Sequence, residues 1–155
     1  MAHTHRYQVH LGWRGSTAGG YRSYDRAHAV TAATAGERLE LSADAAFLGD
    51  PGRLNPEQLL LAAASSCQLL SFLAEAARAG VDVRSYRDEA EAEMPVSREP
   101  MRITRITLRP HIGVAPGTDP EVVIELVHRG HRQCFIANTL NADIALEPSV
   151  VAEEG

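Results

Sequence analysis

Two residues in this chain can carry redox chemistry: Cys67, inside NPEQLLLAAASSCQLL, and Cys134, inside HRQCFIANTLN. A thiolate is a nucleophile toward peroxides and disulfides, and two thiols together hold two electrons. Position alone leaves a plainer account open, because cysteine is among the most buried residue types and a small core residue explains Cys67 without chemistry. Cys67 also falls in the fourth turn of its predicted helix, where the helix dipole has faded. A reactive thiolate there needs a nearby cation. All 15 basic residues are arginine, so that cation is arginine or a charged histidine, and lysine chemistry such as a Schiff base is excluded.

Three other sets of residues bear on the chemistry. Glu57 is a first-turn carboxylate, favoured by the dipole whatever else it does. Arg22 and Arg26 lie in YRSYDRAH, which also reads as a solvated strand face. His128, His131 and Cys134 are spaced H-x2-H-x2-C and with Cys67 outline a zinc set. Steps of three cover a broad arc, Gly130 interrupts the helix, and there is no CxxC or HExxH, so surface or capping histidines are the ordinary reading and no metal is expected.

The elements that must position these residues follow from pattern. A chain of 155 residues is read as one domain, 1–155, with enough sequence for a real core. Alternation in YQVHLGW (7–13), YRSYDRAHAV (21–30) and ERLELSA (37–43) predicts a three-stranded meander. A long helix then begins with Asn55 as N-cap, Pro56 at N1, Glu57 in the first turn and Gln58 at N3, and ends at Gly80. Its apolar stripe is predicted as Leu60, Ala63, Cys67, Leu70, Ala74 and Ala77. Two further strands follow, at 81–94 and at 101–114, the second with a bulge between Ile103 and Ile106. A helix over 118–130 has Thr118 and Glu121 as capping box and Gly130 as its break. HRQCFIANTL is a second C-terminal helix, and ADIALEPSV a last strand. The order βββαββααβ is α+β.

The formal net charge of −5, with no basic tract, argues against nucleic acid or a membrane surface as partner. MAHTHRYQVH has no apolar core of a signal peptide, and the longest apolar run, Leu59 to Ala64, is followed by Ser65 and Ser66, too short and too polar to span a bilayer. The cytoplasm is therefore the expected compartment. Two cysteines there form a transient, catalytic bond rather than a structural one if they pair.

LNPEQLLLAAASSCQLL resembles the NPE-x-L…A-x-x-x-C helix of the osmotically inducible protein C and organic hydroperoxide resistance family (OsmC/Ohr). HRQCFIANTLNADIALEP resembles that family's second cysteine motif, a helix running into a last strand. The likeness covers about Leu11 to Val150 and points to an OsmC-like branch. It implies an intertwined homodimer with the long helices packed between sheets. It implies thiol peroxidase activity on organic hydroperoxides, with Cys67 peroxidatic, Cys134 resolving, and arginine and glutamate supporting the thiolate. It also implies an external dithiol reductant of lipoyl type and no cofactor. Arg26, in Y-x-R-x-H, is the favoured arginine and Arg22 the second. The chain departs from the pattern at Phe135, where proline is frequent, at Gln68, where the nearest branch has histidine, and near Ala46, where the OsmC type has its arginine.

Glu57 and Cys67 are ten residues apart on one helix, about 15 Å along its axis. They cannot touch. A Glu57 that acts through an arginine bridge is therefore expected to serve the cysteine of the other subunit. The rival expectation, from another class, is a stress-related binding protein that uses an apolar dimer cleft for a small ligand.

Overall fold

The computed structural model describes residues 3–96 and 100–154, which gather into two compact units, Met1–Leu59 and Leu60–Gly155. In the first unit three short strands pair antiparallel in the order β1 (Val9–Gly12), β2 (His28–Ala32), β3 (Arg38–Leu41). This is the predicted meander. Register sets Leu11 against Val30 and Val30 against Leu39. The segment 21–27, predicted as strand, forms turns and loop instead, so Arg22 and Arg26 lie on the β1–β2 connection. The tyrosines and Arg26 there satisfy one another, and strand pairing is given up.

After β3 the chain turns through a single 3-10 turn, Ala45–Phe47, capped by Asp44, whose Oδ1 accepts the Ala46 N–H at 2.7 Å. Gly49 passes so near the Ala43 carbonyl that a Cβ would sit 1.7 Å from its oxygen, and only glycine fits.

Helix α1, Pro56–Arg78, starts where its sequence signals place it. Asn55 Oδ1 accepts the Gln58 N–H at 2.8 Å, and Gln58 Oε1 accepts the Asn55 N–H at 3.0 Å, a reciprocal capping box. It ends in a Schellman turn: Gly80, at φ +72°, donates to Ala77, and Val81 donates to Ala76 at 2.9 Å. The buried face is not the predicted stripe. Ala64, Gln68, Phe72, Glu75 and Ala76 are buried, while Leu70 is 63% exposed. The helix is turned by about one residue, because Gln68 and Glu75 find polar partners on the next helix that periodicity of apolar residues cannot reveal. By length and composition alone α1 would also suffice to cross a membrane, contrary to the sequence expectation. Its buried glutamine and glutamate are packed as in a globular core.

In the second unit each predicted strand is split in two. Residues 81–94 give β4 (Val83–Asp88) and β5 (Glu91–Glu93); 101–114 give β6 (Arg105–Leu108) and β7 (Pro110–Val114); the last strand gives β8 (Asp143–Leu146) and β9 (Ser149–Ala152). The halves form two sheets, β4-β7-β9 and β5-β6-β8, each with one antiparallel and one parallel pairing. Arg109 sits at the break. Its N–H donates to Asp88 at 2.7 Å, and its guanidinium pairs with Glu147 at 2.9 Å and Glu91 at 3.2 Å, so one side chain ties all three interruptions. The expected bulge at 103–106 is instead the start of β6, and the register shift falls between Val83 and Ser85.

Helix α2, Pro120–Gln133, is capped by Asp119, whose Oδ1 accepts the Glu121 N–H at 3.0 Å, rather than by Thr118. Gly130 does not break it. Gly130 is the contact point with α1: a Cβ there would lie 2.8 Å from the Phe72 backbone nitrogen. Phe72, Ile112, Val123 and Val127, all fully buried, form one core; Ala64, Ile106 and Leu108 anchor another. Full burial of a side chain such as Phe72 is worth about 1.5–3 kcal/mol.

Candidate active site

Helix α3, Phe135–Thr139, follows α2 with one residue between them, and that residue is Cys134. Cys134 closes α2 by donating its N–H to the His131 carbonyl at 3.1 Å. It opens α3 by accepting the Ala137 N–H on Sγ at 3.4 Å. The backbone kink fixes the thiol and buries it, at 1% exposure. Cys67, half-buried on α1, lies close enough for each thiol to shift the acidity of the other, and both are free.

Their acidities are driven apart. Burial pushes the Cys67 thiol up. It is outweighed by hydrogen bonds from the Cys134 thiol, the Ile136 and Phe135 N–H groups and the Ser71 hydroxyl, which leave Cys67 more acidic than an ordinary thiol. Burial and the neighbouring Cys67 push Cys134 up to about 11. Of the two thiols Cys67 is therefore the more acidic. The first turn of α3 supplies two of the Cys67 donors, a task that the sequence reading gave to a cation.

Cys67 also opens to a cleft of about 280 Å³, with Leu70, Ala74 and Phe135 as apolar walls and Ser71, Arg78 and Gln133 as polar ones. Beside it, Gln68 is fully buried. Its amide donates to the Val127 carbonyl at 3.1 Å, so its oxygen faces His131 Nδ1 at 3.0 Å, and His131 must carry its proton there. Burial first, and His128 second, lower the His131 pKa, which keeps the ring neutral near pH 7. Among the described residues no cluster of histidine, cysteine and carboxylate has metal-binding geometry.

The other predicted residues lie in the first unit. Arg26 and Glu57 both line an apolar pocket of about 510 Å³ walled by Trp13, Tyr24 and Phe47, without forming an ion pair among the described residues. Arg26 is held in an aromatic setting. Its guanidinium lies 4.1 Å from the Tyr24 ring centroid and 4.8 Å from that of Tyr21, and it donates to the carbonyls of both residues. Arg22 is exposed and does not line this pocket. The structure therefore brings Cys67 to Cys134 in one unit and Arg26 to Glu57 in the other. Sequence reasoning missed Ser71, four residues after Cys67 on the same face, and Arg78, seven residues beyond Ser71 at the end of the helix.

The OsmC-like protein family model matches residues 49–149, which include both cysteines and Glu57. The chain belongs to the OsmC-like family. Solved structures of similar fold bear this out. An OsmC-like protein of unknown function from Vibrio cholerae O1 is 26% identical, covering 94% of this chain and 100% of that one, with a TM-score of 0.84. An organic hydroperoxide resistance protein OsmC from Legionella pneumophila is 19% identical over 96% and 98%, at 0.70. The organic hydroperoxide resistance protein of Bacillus subtilis is 21% identical over 94% and 98%, at 0.63. No curated protein sequence matches. In this OsmC-like chain the family match stops short of Arg22 and Arg26, so those two rest on the hairpin's geometry alone.

Proposed function

We propose that this OsmC-like chain is a thiol peroxidase that reduces organic hydroperoxides. The observation that carries the reading is the Cys67–Cys134 contact, with one thiol made acidic and the other basic. Membership of a family with organic hydroperoxide resistance proteins among its structural relatives supports it. The Cys67 thiolate attacks the outer peroxide oxygen and the O–O bond breaks. The alkoxide leaves and takes up a proton as alcohol, and Cys67 becomes a sulfenic acid. That step removes the negative charge beside Cys134, one of the causes holding its pKa high. Cys134 then deprotonates more readily, attacks the Cys67 sulfur and expels water, giving a disulfide. An external dithiol of lipoyl type restores both thiols by exchange.

In this reading the protein works in the reducing cytoplasm as a homodimer. Arg26 and Glu57 of one protomer support Cys67 of the other, since ten residues of α1 separate Glu57 from its own cysteine by about 15 Å. Leu73, an exposed apolar side chain on α1, is suited to that pairing. The test is steady-state reduction of cumene hydroperoxide with a dithiol donor, beside intact mass after one equivalent of peroxide. Wild type turns over and loses two hydrogens, and Cys67→Ser does neither. Full turnover by Cys67→Ser, or an inactive wild type, ends the proposal. A second reading, a binding protein without turnover, is favoured by the apolar 510 Å³ pocket of the first unit. It predicts an unchanged mass and tight binding of an apolar ligand.

A further inference from the structure

Arg78 is the last residue of α1 and faces the same cleft as Cys67. The steps 67, 71, 74 and 78 run down one side of the helix, so the cleft is a furrow with a sulfur at one end and a guanidinium at the other. Its walls between them, Leu70 and Ala74, are apolar. The guanidinium is held in place. Arg78 Nη1 donates to Glu75 Oε1 at 2.7 Å, and the Glu75 side chain is only 8% exposed. Arg129 approaches the other Glu75 oxygen at 3.9 Å. A buried carboxylate set between two arginines fixes where their guanidinium groups lie. Arginine has five N–H donors, and Glu75 takes one of those of Arg78, which is otherwise 69% exposed.

We propose that Arg78 is a specificity-determining residue that binds a carboxylate carried on the substrate, at the end of the molecule remote from the peroxide. The proposal rests on the peroxidase reading for its reaction, though not for its binding. A planar guanidinium with a free edge suits a carboxylate, and the apolar walls suit a hydrocarbon body between the two polar ends. Cys67 and Arg78 are eleven residues apart, about 16 Å along the axis, and the lean of Arg78 back toward Glu75 reduces the gap to roughly 11 Å. Compact hydroperoxides cannot reach both ends, whereas an extended amphipathic one does.

The experiment has two arms. In the first, decanoate and decanol are titrated calorimetrically into the reduced full chain as wild type, Arg78→Gln and Arg78→Lys. Wild type is expected to bind decanoate about tenfold more tightly than decanol, a preference that Arg78→Gln abolishes and Arg78→Lys partly keeps. In the second, a long-chain hydroperoxide with a remote carboxylate is compared with its methyl ester and with cumene hydroperoxide. Arg78→Gln should raise KM about tenfold more for the acid than for its methyl ester or for cumene hydroperoxide. Equal binding of decanoate and decanol to wild type, or an equal loss on acid and ester, overturns the role of Arg78. A wild type that reduces no peroxide sinks the peroxidase reading, and the decanoate arm still decides on Arg78.

Discussion

The divergence of the two thiols can be read directly by alkylation across pH. Cys134, pushed up to about 11, is thiolate in about one molecule per thousand at pH 8. Cys67 lies below the ordinary value of 9.0, so more than about one in ten is thiolate at the same pH. Only thiolate reacts with iodoacetamide, and the more basic Cys134 thiolate is the stronger nucleophile, which offsets part of the advantage in fraction, so Cys67 should label about tenfold faster at pH 8. By pH 10 Cys134 has reached about one in ten, so the difference narrows toward equality. The assay is timed alkylation of reduced protein from pH 6 to 11, quenched and mapped by peptide mass, with unfolded chain as control. Burial of Cys134 slows its labelling at every pH, and the slope against pH separates that from acidity. Ser71→Ala removes one donor and should move the Cys67 midpoint upward. Equal labelling at pH 8, or a Cys67 midpoint at or above 9, would refute the account. The same shifts act on stability with opposite signs. Cys67, depressed in the fold, stabilises above its unfolded pKa, and that contribution is lost as pH falls through the folded value. Cys134, raised, stabilises below its unfolded pKa, and that is lost as pH climbs toward 11.

Gly130→Ala gains about 1 kcal/mol of helix propensity but drives a Cβ onto the Phe72 backbone. Overpacking of about 1–3 kcal/mol should win, seen as a lower urea midpoint, and a stabilised variant would show that the helices are free to part. Gln68→Leu loses the bonds to Val127 and His131 and should cost about 1–3 kcal/mol by the same measurement. It should also release the His131 tautomer, visible in the ring nitrogen NMR shifts.

What could be read from the sequence was local. The start of α1 was legible because Asn55, Pro56 and Gln58 act within four residues of one another, and its end because Gly80 takes the positive φ that the last turn needs. Family membership was legible through the two cysteine motifs, and the OsmC-like match over 49–149 spans both. The face of α1 was not, since what turns Gln68 inward is a carbonyl 59 positions away. The strand breaks were hidden for the same reason: Arg109 looks like any exposed charge until Asp88, Glu91 and Glu147 are brought around it. Nor does any spacing in HRQCFIANTLN show that α2 ends one residue before α3 begins, which is what directs two backbone N–H groups at Cys67.

The position of Cys134 between two helices has a consequence in chain entropy. A bond from it to Cys67 would close a loop of roughly 70 residues, and a loop of that size confines the unfolded chain by about 4 kcal/mol. The closed segment contains the second half of α1, strands β4 to β7 and all of α2. Oxidation would therefore brace most of the second unit against unfolding, and a reductant would release it. The melting temperature would then follow the oxidation state, so that resistance to heat becomes a gauge of how recently the protein met a peroxide.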